Sequence, residues 1–279
     1  MHPIAFHLGP LTIRWYGVMI ALAFLFGLWT AMLRARREGI PAEKIGDVVL
    51  WIMAGAILGA RIVYVTTYWR EEFAGQPFIE IFMIQRGGLV YYGGFIGAIV
   101  AGFLYLRWKR LPLWRTADVL APSITLGNVF GRAGCLLNGC CYGRPTNAPW
   151  AIQFPNGSYA WYHQFYDQHL SGVTANGPAL PVHPTEIYDG LLNLLVYFFL
   201  AWLFRRKKFD GQVFATCLLC YGVTRSISEA FRGDYSSLHY HLGLSPGQWL
   251  SIPTFIAGLF LAAILSRRGP MRRGFQPEG

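Results

Sequence analysis

The chain has 279 residues, 54% hydrophobic and only 14% charged. Soluble domains carry roughly 25% charged residues, so this balance excludes an ordinary soluble domain and points to a membrane protein. A formal net charge of +10 would suit a nucleic-acid binder, but the placement of the charges argues against one, and five cysteines are too few for a disulfide scaffold.

In chain order, residues 1–12 are short and partly apolar, with His2, Pro3, His7 and Pro10. The first helix is expected over 13–33, with Arg14, Trp15 and Tyr16 as an interfacial anchor. No basic stretch precedes this apolar run, and Arg34, Arg36 and Arg37 follow it, so it does not read as a cleavable signal. A second helix is expected over 48–67, with Gly55 and Gly59 as a GxxxG pair and Arg61 inside it. A loop with Glu71, Glu72, Gly75 and Pro77 leads to an interfacial segment from Phe78 to Gln85. Further helices are expected over 88–106, 117–136, 186–204, 211–231 and 247–266. Each run is close to the roughly 20 residues a bilayer requires. Residues 137–185 are too polar and broken to span; their Trp150, Phe154, Tyr159, Trp161, Tyr162, Phe165 and Tyr166 suggest an interfacial belt and lid on an extramembrane head. The fold class is therefore an all-α membrane protein, one integral membrane domain over 1–279 with seven transmembrane helices and a small head at 137–185.

The basic residues orient this bundle. They follow the first helix (Arg34, Arg36, Arg37, Lys44), the third (Arg107, Lys109, Arg110, Arg115), the fifth (Arg205, Arg206, Lys207, Lys208) and the seventh (Arg267, Arg268, Arg272, Arg273). These sixteen of 24 Lys and Arg fall on alternate connections, while the intervening ones hold few, such as Arg70, Arg86 and Arg144. The positive-inside rule places the N-terminus and head outside and the C-terminus in the cytoplasm. The charge thus marks topology, with some attraction to anionic lipid.

Several ionisable groups are left over. Arginine is costly inside a bilayer, by roughly 2.5–3.5 kcal/mol on insertion scales, so Arg132 should face protein or water. It sits in the run Gly131–Arg144, where Asn128, Arg132 and Cys135 share a helix face. Gly127, Gly131 and Gly134 are spaced for close backbone approach. Arg225, Glu229 and Arg232 share a face of the sixth helix. Arginine suits bidentate phosphate recognition, and Glu229 would hold Arg225 and Arg232 or act as a base; a purely internal salt-bridge network is the alternative. The glycines of the Gly87–Gly97 run either expose backbone N–H groups to a phosphate or serve close packing. Cys135, Cys140 and Cys141 with His183 match no zinc spacing, and a disulfide is the preferred reading. Thr185 and Glu186 read first as a helix start.

With those motifs in view, the chain resembles bacterial prolipoprotein diacylglyceryl transferases nearly end to end. The resemblance rests on Arg14-Trp15-Tyr16-Gly17, Gly59-Ala60-Arg61, the Gly87–Gly97 run, Gly131-Arg132 through Gly143, His183-Pro184-Thr185-Glu186-Ile187-Tyr188, Arg225 to Arg232, and Gly247-Gln248-Trp249-Leu250-Ser251-Ile252-Pro253, in the family's order. It implies a seven-helix inner-membrane enzyme with a periplasmic head. Such an enzyme moves a diacylglyceryl group from phosphatidylglycerol to the lipobox cysteine thiol of a prolipoprotein and releases glycerol phosphate. Arg132 would bind the phosphate and Arg225 would stabilise it as it leaves, with Glu229 and Tyr92 as further catalytic residues. Tyr16, Arg61, Gly93, Gly94, Asn138, Gly143 and Arg232 would complete the phospholipid site. Neither cofactor nor metal is implied, and the partners are phosphatidylglycerol, prolipoprotein signal peptides and membrane lipids, without nucleic acid.

Three positions depart from the family. Tyr92 stands where it commonly has a histidine proposed as base, Cys135 where it has Asn, and Cys140 where it has Glu. A tyrosine, near pKa 10, is a poor base at neutral pH unless its neighbours lower it, whereas a thiol substrate near 8.5 is easier to activate than an alcohol. Phosphate recognition is untouched by these departures; the identity of the base is left open, as is a paralogue with another acceptor. A phospholipid or anion transporter is the alternative from another class, but the sequence has no internal repeat of the kind many transporters carry.

Overall fold

The computed structural model describes residues 4–9, 11–84, 87–234 and 242–267. His2, Pro3, Pro10, Gln85, Arg86, Arg268, Arg272 and Arg273 therefore lie outside the described residues.

The chain is built from helices: α1 (Trp15–Arg37), α2 (Ala42–Thr67), α3 (Tyr91–Trp108), α4 (Leu113–Asn138), the single turn α5 (Tyr159–Tyr162), α6 (Thr185–Arg206), α7 (Gln212–Ala230) and α8 (Pro246–Ser266). Four of them, α1, α2, α6 and α8, are long and apolar enough to cross a membrane. The interior of α4 carries Asp118 and Arg132, and that of α7 carries Arg225 and Glu229.

Boundaries shift where local chemistry overrides hydropathy. Ile13 and Arg14 are not helical: they end strand β2 (Leu11–Arg14), paired antiparallel with β1 (Ile4–Leu8). The all-α expectation misses this hairpin, whose strands are rich in β-formers around a glycine turn. Helix α2 starts at Ala42, earlier than expected, because Glu43, Lys44 and Asp47 hide its first turns from a hydropathy reading. Helix α3 starts later, since Gly87 and Gly88 hold φ of 92° and 78°, outside the helical region. The segment Phe78–Phe82 is a 3-10 turn.

The chain forms two compact units. One combines residues up to Ala31 with those from Ala117 onward; the other is Met32–Thr116. In the second, α2 crosses α3 on glycines: a Cβ on Gly59 would strike the Gly93 carbonyl, and one on Gly97 the Gly55 carbonyl. The two GxxxG pairs thus face each other, the packing such spacing permits. The Gly127–Gly131–Gly134 series behaves otherwise. Only Gly134 is tightly opposed, by Tyr16 and Met19; Gly131 has nothing near its missing side chain.

In the first unit, α1 meets α4 through a stacked Phe26–Phe130 pair and the Thr30–Ser123 hydroxyl contact (2.9 Å). Asp118, fully buried in α4, accepts from Lys207 Nζ (3.0 Å) and from the N–H groups of Gly211 (2.8 Å) and Phe214 (2.9 Å), which pins the start of α7. Lys207 is therefore an internal counter-ion rather than a surface charge. The segment between α4 and α6 has its own core of Tyr142, Phe154, Ala160, Trp161, Val173, Ala179 and Val182. Phe154 and Trp161 are interior, so only the exposed Trp150, Tyr159, Tyr162 and Tyr166 are available for an interfacial belt. Tyr142 hydrogen-bonds His163 Nδ1 (2.6 Å), and burial pushes its phenol well above the ordinary tyrosine range.

The glycine crossing yields a first prediction. Gly97→Val should lower the melting temperature of the purified protein by several degrees, since overpacking costs about 1–3 kcal/mol. Gly131→Ala should leave it within error. Equal melting curves for the parent and Gly97→Val would show that the crossing tolerates a side chain.

Candidate functional site

Helix α4 ends at a left-handed glycine cap: Gly139 has φ 78° and its N–H bonds to the Cys135 carbonyl (2.9 Å). One turn before Cys135, Arg132 Nε forms an ion pair with Asp189 Oδ2 on α6 (2.6 Å). The same oxygen lies 3.6 Å from Arg225 Nη1 on α7. Asp189 thereby joins two of the arginines singled out from sequence, yet sequence reasoning passed over it. The available signal was its place three residues beyond Glu186, one turn into a helix that begins at Thr185. Asn193 Nδ2 holds the other oxygen of Asp189 (2.9 Å).

The Arg225–Glu229–Arg232 face is formed as the i, i+4, i+7 spacing implies, with one correction. Arg225 Nη2 pairs with Glu229 Oε1. Arg232, however, is held chiefly by Asp234, through two parallel bonds of 2.7 Å, and lies 3.6 Å from Glu229. Glu229 is fully buried, and its second oxygen accepts from the Ser245 hydroxyl (2.6 Å). Ser245 also caps α8 by accepting from Gln248 N–H (3.2 Å), and Gly247 leaves no room for a side chain beside Glu229. A carboxylate of α7 is thus locked to the cap of α8.

Asp189, Glu229 and Asp234 pair with the three arginines and Glu186 lies near two of them, so this cluster carries no excess of positive charge. What it offers an anion is directed donors. Arg225 Nη1 is buried without a hydrogen-bond partner among the described residues, and Asp189 engages Arg132 at Nε. The distance of 3.6 Å from Asp189 is an ion-pair separation, too long for a hydrogen bond.

Around this cluster, Tyr16 packs over Gly134 within electrostatic reach of Arg132 and the three cysteines of the turn. Asn138 Nδ2 contacts Cys140 Sγ (3.6 Å). Gly143 donates to the His183 carbonyl (2.9 Å) and bridges Arg232; a Cβ there would meet His183 and the Phe231 carbonyl, so its contribution is close approach. Glu186 is a second residue missed from sequence: it is 2% exposed, no side chain bonds either oxygen, and Arg132, Arg232 and Cys141 are its charged neighbours. Cys135, Cys140 and Cys141 are free thiols with their sulfurs gathered together, so the expected disulfide is not formed. Hydrogen bonding from Cys135 and Cys140 pushes the Cys141 thiol below its ordinary value. His183 is not among them; its ring contacts the Tyr188 hydroxyl (3.2 Å).

In the other unit, Arg61 donates to four backbone carbonyls: Glu80 and Ile81 (both 2.7 Å), Gly87 (2.9 Å) and Gly88 (3.1 Å). Its guanidinium ties Glu80 and Ile81 to Gly87 and Gly88. Gly93 and Gly94 face α2, which realises the packing alternative for these glycines, and Tyr92 is 60% exposed near the start of α3.

The sequence profile of the family described as prolipoprotein diacylglyceryl transferase matches residues 3–264. Among curated relatives, the phosphatidylglycerol--prolipoprotein diacylglyceryl transferase of Paraburkholderia phymatum is 37% identical, over 95% of this chain and 93% of its own length. The proteins of the same name from Idiomarina loihiensis and Mannheimia succiniciproducens are each 35% identical, covering 96% and 97% of this chain and 94% and 95% of their own.

Asp189 generates the second prediction. Asp189→Asn keeps the shape but leaves Arg132 and Arg225 without their shared charge, and breaking a buried pair costs about 3–5 kcal/mol. The variant should melt well below the parent, whereas Asp167→Asn, at an exposed carboxylate 4.0 Å from His163, should not. Equal melting of both variants would remove Asp189 as the organiser of the cluster.

Proposed function

The chain belongs to the prolipoprotein diacylglyceryl transferase family, and from that premise we propose that it transfers the diacylglyceryl group of phosphatidylglycerol to the lipobox cysteine thiol of prolipoproteins. The observation that carries the reading is the Arg132–Asp189–Arg225 arrangement, in which one carboxylate faces two guanidiniums from different helices and Arg225 Nη1, in ion-pair range of it, has no hydrogen-bond partner among the described residues. Its setting is proposed as the bacterial inner membrane, with seven spanning helices, the N-terminus and the 137–185 head periplasmic, and the C-terminus cytoplasmic.

The reaction is a single displacement. The acceptor thiol gives up its proton, which the departing phosphate takes up, and the thiolate attacks the glyceryl carbon that bears the phosphate. A carbon–sulfur bond forms as the carbon–oxygen bond breaks, and glycerol phosphate leaves with the electron pair. Arg132 binds the phosphate in the lipid, and Arg225 stabilises the charge that grows on it, an oxyanion type of contribution. Glu229 fixes the Arg225 fork. Tyr16, Asn138 and Arg232 line the headgroup region, and Tyr92 is assigned to proton handling, in the place of the family's histidine. Gly143 holds the backbone beside Arg232; for Arg61, Gly93 and Gly94 a part in lipid binding is what the family resemblance implies. Lipid and peptide held together where water is excluded gain from orientation. A displacement of this kind calls for no cofactor or metal.

Two predictions follow from this reading. Arg132→Lys and Arg225→Lys keep the charge but lose the planar pair of donors. Each should lower transfer by about 10²–10³-fold, with turnover falling more than lipid affinity. Transfer from phosphatidylglycerol to a lipobox peptide in detergent measures this, and full activity in both variants would reduce the arginines to helix ties. For topology, a reporter active only in the periplasm should work when fused after Gly157 and be silent after Lys208. The opposite pattern would reverse the orientation.

A further inference from the structure

Three of the five cysteines converge on one point. Cys135 lies in the last turn of α4, and the chain then doubles back through Gly139, so that Cys140 N–H bonds to the Cys135 carbonyl (3.1 Å). Cys141 itself holds φ 72°, a left-handed conformation that non-glycine residues seldom adopt and that tends to be kept at functional sites. The result is that the three Sγ atoms lie within 4.8 Å of one another, partly shielded from solvent. Nothing in the proposed transfer uses them, since the acceptor thiol belongs to the substrate.

We propose that Cys135, Cys140 and Cys141 form a binding site for a single soft monovalent cation, Cu(I). Thiolates select soft metals, and Cu(I) is among those they favour. Structural zinc takes four ligands, but among the described residues neither a histidine nor a carboxylate joins the three sulfurs. Cu(I) is satisfied by three sulfurs in a plane. Metal–sulfur bonds near 2.3 Å put such sulfurs roughly 4 Å apart, a spacing these side chains reach with small rotations. Binding releases the thiol protons to solvent and forms three copper–sulfur bonds, with no electron transferred. The surroundings suit the anionic product. Arg132 and Arg232 are charged neighbours of Cys141, and Asn138 Nδ2 contacts the Cys140 sulfur at 3.6 Å, as outer partners of metal ligands do.

The test uses the purified full-length protein in detergent, reduced and free of oxygen, with Cu(I) supplied as a coloured chelator complex. The parent should withdraw one Cu(I) per chain from the chelator, and so should Cys217→Ser/Cys220→Ser, which alters only the two cysteines of α7. Cys135→Ser/Cys140→Ser/Cys141→Ser should withdraw none, and Asn138→Ala should weaken binding by about 10-fold or more. X-ray absorption of the loaded parent, which does not depend on any variant folding, should show three sulfur neighbours. Failure of the parent to compete with the chelator, unchanged binding in the triple variant, or a copper bound by nitrogen and oxygen would each overturn the proposal. None of these readouts depends on transferase activity.

Discussion

The carboxylate of Asp189 is the constraint on which the rest of the site depends. It is almost wholly buried, and it meets Arg132 from α4 and Arg225 from α7 at one oxygen. Two half-buried guanidiniums brought together without it would repel each other in a medium that screens charge less than water does. Each would also carry the cost of an uncompensated buried charge. With it, three helices are tied at one end, and the arginines keep a fixed geometry that neither helix alone would impose. At the other end of α4, about 21 Å away at 1.5 Å per residue, Asp118 does comparable work on Lys207 and the first turn of α7. Helix α4 is therefore anchored by charge at both ends, while its middle packs through aromatic and small side chains against α1.

Much of this was legible in the sequence, for a physical reason. An arginine in an apolar run has few tolerable environments, so Arg132 and Arg225 stood out without any structure. The 3.6-residue repeat then put Arg225, Glu229 and Arg232 on one face. Paired GxxxG spacings likewise implied the α2–α3 contact. The partners were harder to see. Asp189 and Glu186 sit at the start of an apolar helix, where an acidic residue is expected simply as a favourable charge on the helix dipole. Their burial is a property of three-dimensional packing, invisible to spacing. The partners of Arg61 were hidden for a related reason: an arginine in a helix looks the same from sequence whether or not it bonds nearby backbone carbonyls, as Arg61 does. The hairpin before α1 was hidden because its few residues run directly into a hydrophobic helix.

The irregular backbone at the head of the site is explained by the same accounting of polar groups. A segment without regular structure must satisfy its N–H and C=O groups somewhere. Residues 143–146 do so by pairing: Gly143 with His183, Arg144 with Phe231 and His183, and Thr146 with Pro181. These bonds stitch the loop after α4 to the start of α6 and the end of α7, which are the elements that carry Asp189 and Arg232. Gly143 permits the seam because a side chain there would collide with both neighbours. The segment between α4 and α6 is thus part of what holds the arginines in register, and its buried Tyr142–His163 contact extends that rigidity into its own core.

Near-neutrality has a consequence for how such a site would treat a phosphate. Were the cluster an excess of positive charge, it would attract any anion, and its ionic contacts would weaken with salt. The carboxylates of Asp189, Glu229 and Asp234, with Glu186 nearby, remove most of that general attraction. What is left is directional: a buried N–H of Arg225 whose nearest acid is too distant to bond it, beside a guanidinium held through Nε. A ligand able to accept from both at once is favoured over one that merely carries charge, because a buried donor left unmade costs about 1–3 kcal/mol. A group with two or more oxygens on one centre would engage both donors at once, whereas chloride offers no such directed pair of acceptors.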